Sequence, residues 1–328
     1  MLRPRCTFAS PGLLLLAVVL TSFPARAASR IERELALDPG GQVVLDTTGA
    51  GVNVVGTARS GVRVVITSNG DIESKYDVQF TEDQGEVAVR IERKPGLSRW
   101  FGWLHGSGLR LEVEVPTDAR VQVDTSGGAI GVEDVRGEMR LETSGGAIRG
   151  TNVGGDVLAS TSGGAVALER VGGDVRAESS GGSIRVEAAA GSVEADTSGG
   201  GIEIRDAGGD VRAETSGGGI RVFGARGRVE ADTSGGPVQV EFAPGNARGG
   251  SLSSSGGGVT VRIDPTIGLE VDASSSGGGV VADVPIRVQG EISKTQLRGT
   301  IGAGGALLKL RSSGGGIRIE PAGAAALR

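Results

Sequence analysis

Val193-Glu194-Ala195-Asp196-Thr197-Ser198-Gly199-Gly200-Gly201-Ile202-Glu203-Ile204-Arg205-Asp206-Ala207-Gly208-Gly209-Asp210 is followed at once by Val211-Arg212-Ala213-Glu214-Thr215-Ser216-Gly217-Gly218-Gly219-Ile220, nearly the same text one repeat later. Ser-Gly-Gly recurs at Ser126, Ser144, Ser162, Ser180, Ser198, Ser216 and Ser234 in unbroken steps of 18 residues, then at Ser255, Ser276 and Ser313. A fixed period is the signature of a repeat architecture and takes precedence over any local motif. The two steps of 21 imply three-residue insertions, one around Pro244-Gly245-Asn246. The last step of 37 reads as about two coils, the middle one degenerate near Thr295 to Thr300. A weaker match begins earlier, at Thr48-Gly49-Ala50-Gly51-Val52.

Each repeat holds two short alternating runs bounded by Gly, such as Ile202-Glu203-Ile204 and Val211-Arg212-Ala213-Glu214-Thr215. Period-2 alternation of this kind predicts strands. In register the repeats give apolar columns: Ile130, Ile148, Val166, Ile184, Ile202, Ile220, Val238, then Val157 to Val229, then Ala159 to Ala231. Between them Arg176, Glu194, Arg212 and Glu230 form a column of alternating charge expected to face water. One repeat has too few apolar side chains to bury a face alone, so the coils must stack. The predicted fold is all-β: a parallel, single-stranded β-solenoid with 18-residue coils, right-handed because two strands rather than three make each coil. Ser-Gly-Gly is expected to turn the chain through positive φ, and Thr143, Thr161, Thr197, Thr215 and Thr233 to stack as a hydroxyl ladder.

Residues 1–27 read as a secretory signal peptide: Arg3 and Arg5, an apolar run from Leu13 to Leu20, and Ala25-Arg26-Ala27 at the cleavage site. Residues 28–120 are strand-rich but irregular and are expected to form an N-terminal cap over the first coil edge. The repeats occupy 121–321 and a flexible tail 322–328. Cys6, the one cysteine, is removed with the signal, so the mature chain has no thiol chemistry and no disulfide. No stretch after the signal is long and apolar enough to predict a transmembrane helix. Removing Arg3, Arg5 and Arg26 from the 34 basic residues leaves 31 against 39 acidic ones, which argues against a nucleic-acid partner.

With 60 Gly, one His and 3% aromatic residues in 328, most enzyme classes are poorly served. Ten copies of the corner and a single His argue that no Ser is a nucleophile. The most unusual stretch is Arg99-Trp100-Phe101-Gly102-Trp103-Leu104-His105-Gly106, which holds both Trp residues. Trp100, Phe101 and Trp103 are candidate partner-binding residues, because exposed indoles favour contact with a protein or a membrane interface. The alternative is a hydrophobic lid packed over the first coil. A second candidate is the acidic column Glu142, Glu178, Asp196, Glu214 and Asp232, whose carboxylates could hold divalent cations or simply be solvated. No metal site is expected at His105, which has no second His or Cys to join it, and no cofactor is expected.

Leu111-Glu112-Val113-Glu114-Val115-Pro116, followed by serial Thr-Ser-Gly-Gly-x-Ile-x-Val coils, resembles a bacterial family of β-strand-repeat, adhesin-like proteins of unknown function. It is also similar to the head domains of autotransporter adhesins, although no C-terminal membrane barrel is expected here. The likeness covers roughly residues 31 to 321 and transfers no catalytic residue. It implies a non-enzymatic structural or adhesin-like protein of the bacterial cell envelope, in the periplasm or at the cell surface. Its expected partner is a protein or an envelope polysaccharide. A carbohydrate-active β-helix enzyme using paired carboxylates, or an envelope-stress signalling partner, are the alternatives.

Overall fold

Alternation at period 2 becomes two long sheets that face each other across one apolar bore. A computed structural model describes residues 29–83, 85–95, 108–289 and 293–323. The signal segment, the aromatic stretch 99–106 and most of the tail lie outside them. Each coil places one strand in each sheet. Val193–Thr197, for example, lies in one sheet, the Ser-Gly-Gly corner follows, and Ile202–Ala207 lies in the other. Neighbouring coils pair in parallel and in register, Val193 on Val211 and Ile202 on Ile220. All three sequence-predicted columns point inward and are buried. Two further inward columns join them: Val132, Leu168, Val186, Ile204 and Val222, and the series Val135, Val153, Val171, Ala189, Ala207 and Ala225.

The corner glycines work differently from the expectation. None of the Ser-Gly-Gly glycines has a positive φ. Glycine is required because consecutive coils touch there: a Cβ on Gly200 would lie 2.1 Å from the carbonyl oxygen of Gly182. The left-handed backbone sits instead at the opposite edge, on Asp134, Asn152, Arg170, Ala188 and Asp206, with φ between 53° and 59°, and on Gly224. Asp and Asn tolerate this region better than other side chains. There Asn152 Nδ2 donates to Asp134 Oδ1 at 2.8 Å.

The threonine column is likewise not a hydroxyl-to-hydroxyl ladder. Thr197 Oγ1 donates to the Gly182 carbonyl of the coil before at 2.8 Å and accepts from the Gly200 amide of its own corner at 3.4 Å. Thr161, Ser179, Thr215 and Thr233 repeat the arrangement. A buried hydroxyl satisfied by two backbone groups stitches each corner to the next. The insertion around Pro244-Gly245-Asn246 is anchored by the buried Asn246, whose Nδ2 donates to the carbonyls of Ala225 and Gly227 at 2.7 and 2.9 Å.

Order along the chain and order in space part company at both ends. Among the described residues twelve coils stack, and the outermost one at the first end is built from Glu86–Arg93 and Arg110–Pro116. The coil made by Gln42–Thr47 and Gly51–Thr57 lies between it and the coil of Arg120–Thr125 and Ile130–Glu133. Antiparallel strands then cover the edge: Val62–Ser68 on Arg110–Pro116, Ser29–Leu35 on Val62–Ser68, and Tyr76–Asp83 on Glu86–Arg93. A single helical turn, Ile72–Lys75, N-capped by Asp71, links two of these strands.

The far end repeats the device. The last coil of the chain, Ala306–Ser312 with Ile317–Pro321, is inserted between Gly250–Ser254 with Val259–Ile263 and Leu269–Ser275 with Val280–Ala282. Residues near 295–300 are therefore not a degenerate coil. Gln296–Ile301 runs antiparallel to Leu269–Ser275 and closes that edge.

Candidate functional site

The outer face of the sheet containing Val193–Thr197 carries three parallel columns of polar side chains. The middle column, with Arg176, Glu194, Arg212 and Glu230, faces water as expected, but its charges pair two by two. Arg176 meets Glu194 at 2.7 Å and Arg212 meets Glu230 at 3.3 Å, while Arg176 and Arg212 also reach Glu178 and Glu214 on their own strands. These pairs are about half exposed, so solvent screens them and they add little to stability.

The predicted acidic column Glu142, Glu178, Asp196, Glu214 and Asp232 stands beside it in one register. Glu142, Glu178 and Glu214 are each held by an arginine two residues earlier. Among the described residues no three His, Cys, Asp or Glu side chains converge as a cation site requires. Crowding is felt where the column runs on to Asp124: partial burial, then the charges of Glu142 and Asp46, raise its pKa above the usual aspartate value. Near the other end Asp272 has the opposite shift. The Arg311 guanidinium, bonded to Asp272 Oδ2 at 2.8 Å, lowers its pKa.

On the other side of the Arg/Glu column lies a groove of about 600 Å³ over the strands that carry Met139, Val157, Val175, Val193 and Val211, whose side chains face the bore. Glu138, Asp156, Asp174 and Asp210 form its far wall. These side chains escaped the sequence reading, although the motif Gly-Gly-Asp-Val, repeated at 154–157, 172–175 and 208–211, was there to be read. Each Asp crosses to the next coil: Asp156 Oδ1 accepts the Asp174 amide at 2.8 Å, Asp174 Oδ1 the Ser192 amide at 2.7 Å, and Asp210 Oδ1 the Arg228 amide at 2.8 Å. Leu158, half-buried, interrupts the opposite wall where Arg140 and Arg176 stand in the adjacent coils.

The opposite sheet bears a second depression of about 690 Å³, lined by Asn53, Arg110, Glu112, Glu133 and Arg149 over a floor that includes Ala129, Gly131 and Ala147. Further along that face the Arg205 guanidinium lies over the Phe223 ring, 5.1 Å from its centroid. Trp100, Phe101 and Trp103 belong to 96–107, outside the described residues. The strands before and after it in sequence, Glu86–Arg93 and Arg110–Pro116, are the two strands of the outermost coil. Thr47, in the neighbouring coil, is the one described residue with a buried side-chain hydroxyl that lacks a partner among the described residues. Among the described residues no helix is long and apolar enough to cross a membrane.

Several solved structures resemble this chain at low identity. A candidate cell adhesion protein from Clostridium sporogenes is 13% identical, with 89% of this chain and 100% of that one covered and a TM-score of 0.22. A candidate adhesin from Bacteroides fragilis is 9% identical, covering 89% and 97%, with a TM-score of 0.32. A candidate lipid-binding protein from Parabacteroides distasonis is 10% identical, covering 89% and 96%, with a TM-score of 0.31. No curated protein matches the sequence. The family model for Toastrack DUF4097 matches residues 42–320, from the first strand of the coil stack to its last, and the chain therefore belongs to the Toastrack DUF4097 family.

Proposed function

We propose that the chain is an exported, non-enzymatic, adhesin-like binding protein of the bacterial cell envelope that meets a protein or an envelope polysaccharide through its solenoid faces or its aromatic segment. The observation that carries this reading is the pair of outer faces, each an in-register array of outward side chains, most of them charged or polar, along the stack. Such faces suit a long or repeating partner better than a small substrate. The aromatic segment, which holds both Trp residues, is a second candidate surface, because indole offers large apolar area together with a polar N–H.

Capture from envelope fractions with the mature chain tests the proposal. Replacing Trp100, Phe101 and Trp103 by Ser should abolish capture while stability changes by less than about 1 kcal/mol, if the rings are a contact surface. Should they cap the first coil instead, the loss approaches about 3–5 kcal/mol for one buried aromatic, and the binding surface is then one of the faces. Failure of the mature chain to retain any envelope component would defeat the reading.

A further inference from the structure

We infer that the strand Ser29–Leu35 is an exchangeable arm, which a second copy of this chain can supply to Val62–Ser68 in place of the chain's own. The partner is the chain itself, so the inference goes beyond the envelope role and does not rest on it.

Ser29–Leu35 is the last strand of its sheet at the first end of the stack, and it pairs on one side only, antiparallel with Val62–Ser68 from Ser29 on Ser68 to Leu35 on Val62. Unlike every other described strand longer than three residues it has no buried residue. On its inner side Ile31 and Leu35 are only partly buried against the core, and the Arg33 guanidinium lies over the Phe80 ring, 6.0 Å from its centroid. Its outer side is held by charge. Arg30, Glu32, Arg63, Glu114, Arg59 and Glu34 form one alternating chain of ion pairs: Arg30 to Glu32 at 3.0 Å, Glu32 to Arg63 at 2.5 Å, Arg63 to Glu114 at 2.8 Å, Glu114 to Arg59 at 2.5 Å and Arg59 to Glu34 at 3.1 Å. Every member is partly exposed, so salt screens the chain. A strand held by one backbone ladder and a screened ion network, with little buried area, lies at the low-stability end of the molecule.

The edge beneath it is of another kind. Val62, Val64, Val65 and Ile66 are all buried, and an edge so rich in β-branched residues recruits a strand when it is bared. The strand that fits is the one the structure seats there. A second copy's Ser29–Leu35 brings the same register, and its Glu32 and Glu34 meet Arg63 and Arg59, so exchanged and unexchanged forms share their contacts and differ only in the connection. That connection is anchored at the buried Leu37 and at the turn that follows, where the Gly41 amide donates to the Asp38 carbonyl at 2.9 Å. Residues 29–36 are therefore free to swing as one arm of about 26 Å, several times the ~4.8 Å between paired strands. Two copies meeting end to end each give and take one arm, which closes the assembly as a dimer.

The test uses the chain from residue 28 onward, which has no cysteine of its own. Ser29 and Ser68 are directly opposed partners, so a Ser29→Cys chain carrying a size tag is mixed with a Ser68→Cys chain under mild oxidation and the products are separated without reductant. A disulfide joining the two different chains is expected, and it should accumulate about fivefold faster or more at about 500 mM salt than at about 20 mM, because salt screens the ion chain. Glu114→Gln, which removes the carboxylate shared by Arg59 and Arg63, should bring the fast rate to low salt. Asp272→Asn breaks an ion pair at the far end and should leave the rate unchanged. If Ser68→Cys does not fold, Arg30→Cys with Thr67→Cys reads the same register one residue along. No linkage between folded chains at either salt overturns the inference. Linkage of Ser29→Cys to a Ser251→Cys chain at the same rate overturns it equally, since Ser251 lies in the other sheet, far from this edge.

Discussion

At the scale of single residues, the second glycine of each corner and the hydroxyl before it are the positions least open to change. Gly200→Ala places a methyl group 2.1 Å from the Gly182 carbonyl oxygen, while on Gly199 the nearest atom lies at 3.3 Å. Overpacking of the first kind costs about 1–3 kcal/mol, so the urea midpoint should drop clearly for Gly200→Ala and little for Gly199→Ala. Similar midpoints would mean that the corner yields. Thr197→Val strips the Gly182 carbonyl and the Gly200 amide of their shared partner, at about 1–3 kcal/mol. Thr197→Ser should be close to neutral, since Ser179 already makes both bonds one coil earlier. Neither consequence was readable in the sequence. Ser-Gly-Gly looks the same whether glycine serves φ or close approach, and only the neighbouring coil distinguishes them.

Strands obey the face assignment that period 2 predicts. Ile202 is buried, whereas Glu203 points outward between Arg185 and Arg205. Ile202→Asp sets an unpaired charge in the bore and should cost more than about 3 kcal/mol. Glu203→Gln keeps an acceptor at the surface and should cost less than about 1 kcal/mol. Comparable thermal shifts for the two would contradict the assignment. The strand ends were less legible. Ala188 holds φ 55° without the local bond that Asp or Asn can offer, so Ala188→Asn should stabilise by about 0.5 kcal/mol. A lower melting temperature would show that the edge column depends on more than backbone conformation. The Asp wall of the groove belongs to this scale too: its spacing was in the sequence, but which carboxylates lack a cation is decided by side chains that meet only across coils.

For the whole molecule, the interlocked ends set where it opens. Arg311 belongs to the inserted coil and Asp272 to the outermost one, so their ion pair clasps the far end. Because the folded pKa of Asp272 is lowered, the clasp contributes fully above the ordinary aspartate pKa, about 3.9, and is lost as pH falls through the folded value. Hydrogen exchange in Leu269–Ser275 should therefore accelerate below about pH 4, and Asp272→Asn should bring the same loosening to neutral pH. Unchanged protection in the variant would show that strand pairing alone holds the end. Deleting 305–328 removes the inserted coil, bares the edge at Gly250–Ser254 and should cause self-association on size exclusion, since an uncovered edge recruits another chain. Deleting only 324–328 should leave a monodisperse protein.

By itself the sequence determined the repeat, the strands, the inward columns and the stacking, because an 18-residue period with period-2 alternation has few ways to bury its apolar side chains. Tertiary structure alone decided the rest. It placed the first and last coils of the chain second from the ends of the stack, a choice no local pattern records. It also divided identical-looking charges into ion pairs and an unpaired wall, because the distance between side chains 18 residues apart exists only once the coils are stacked.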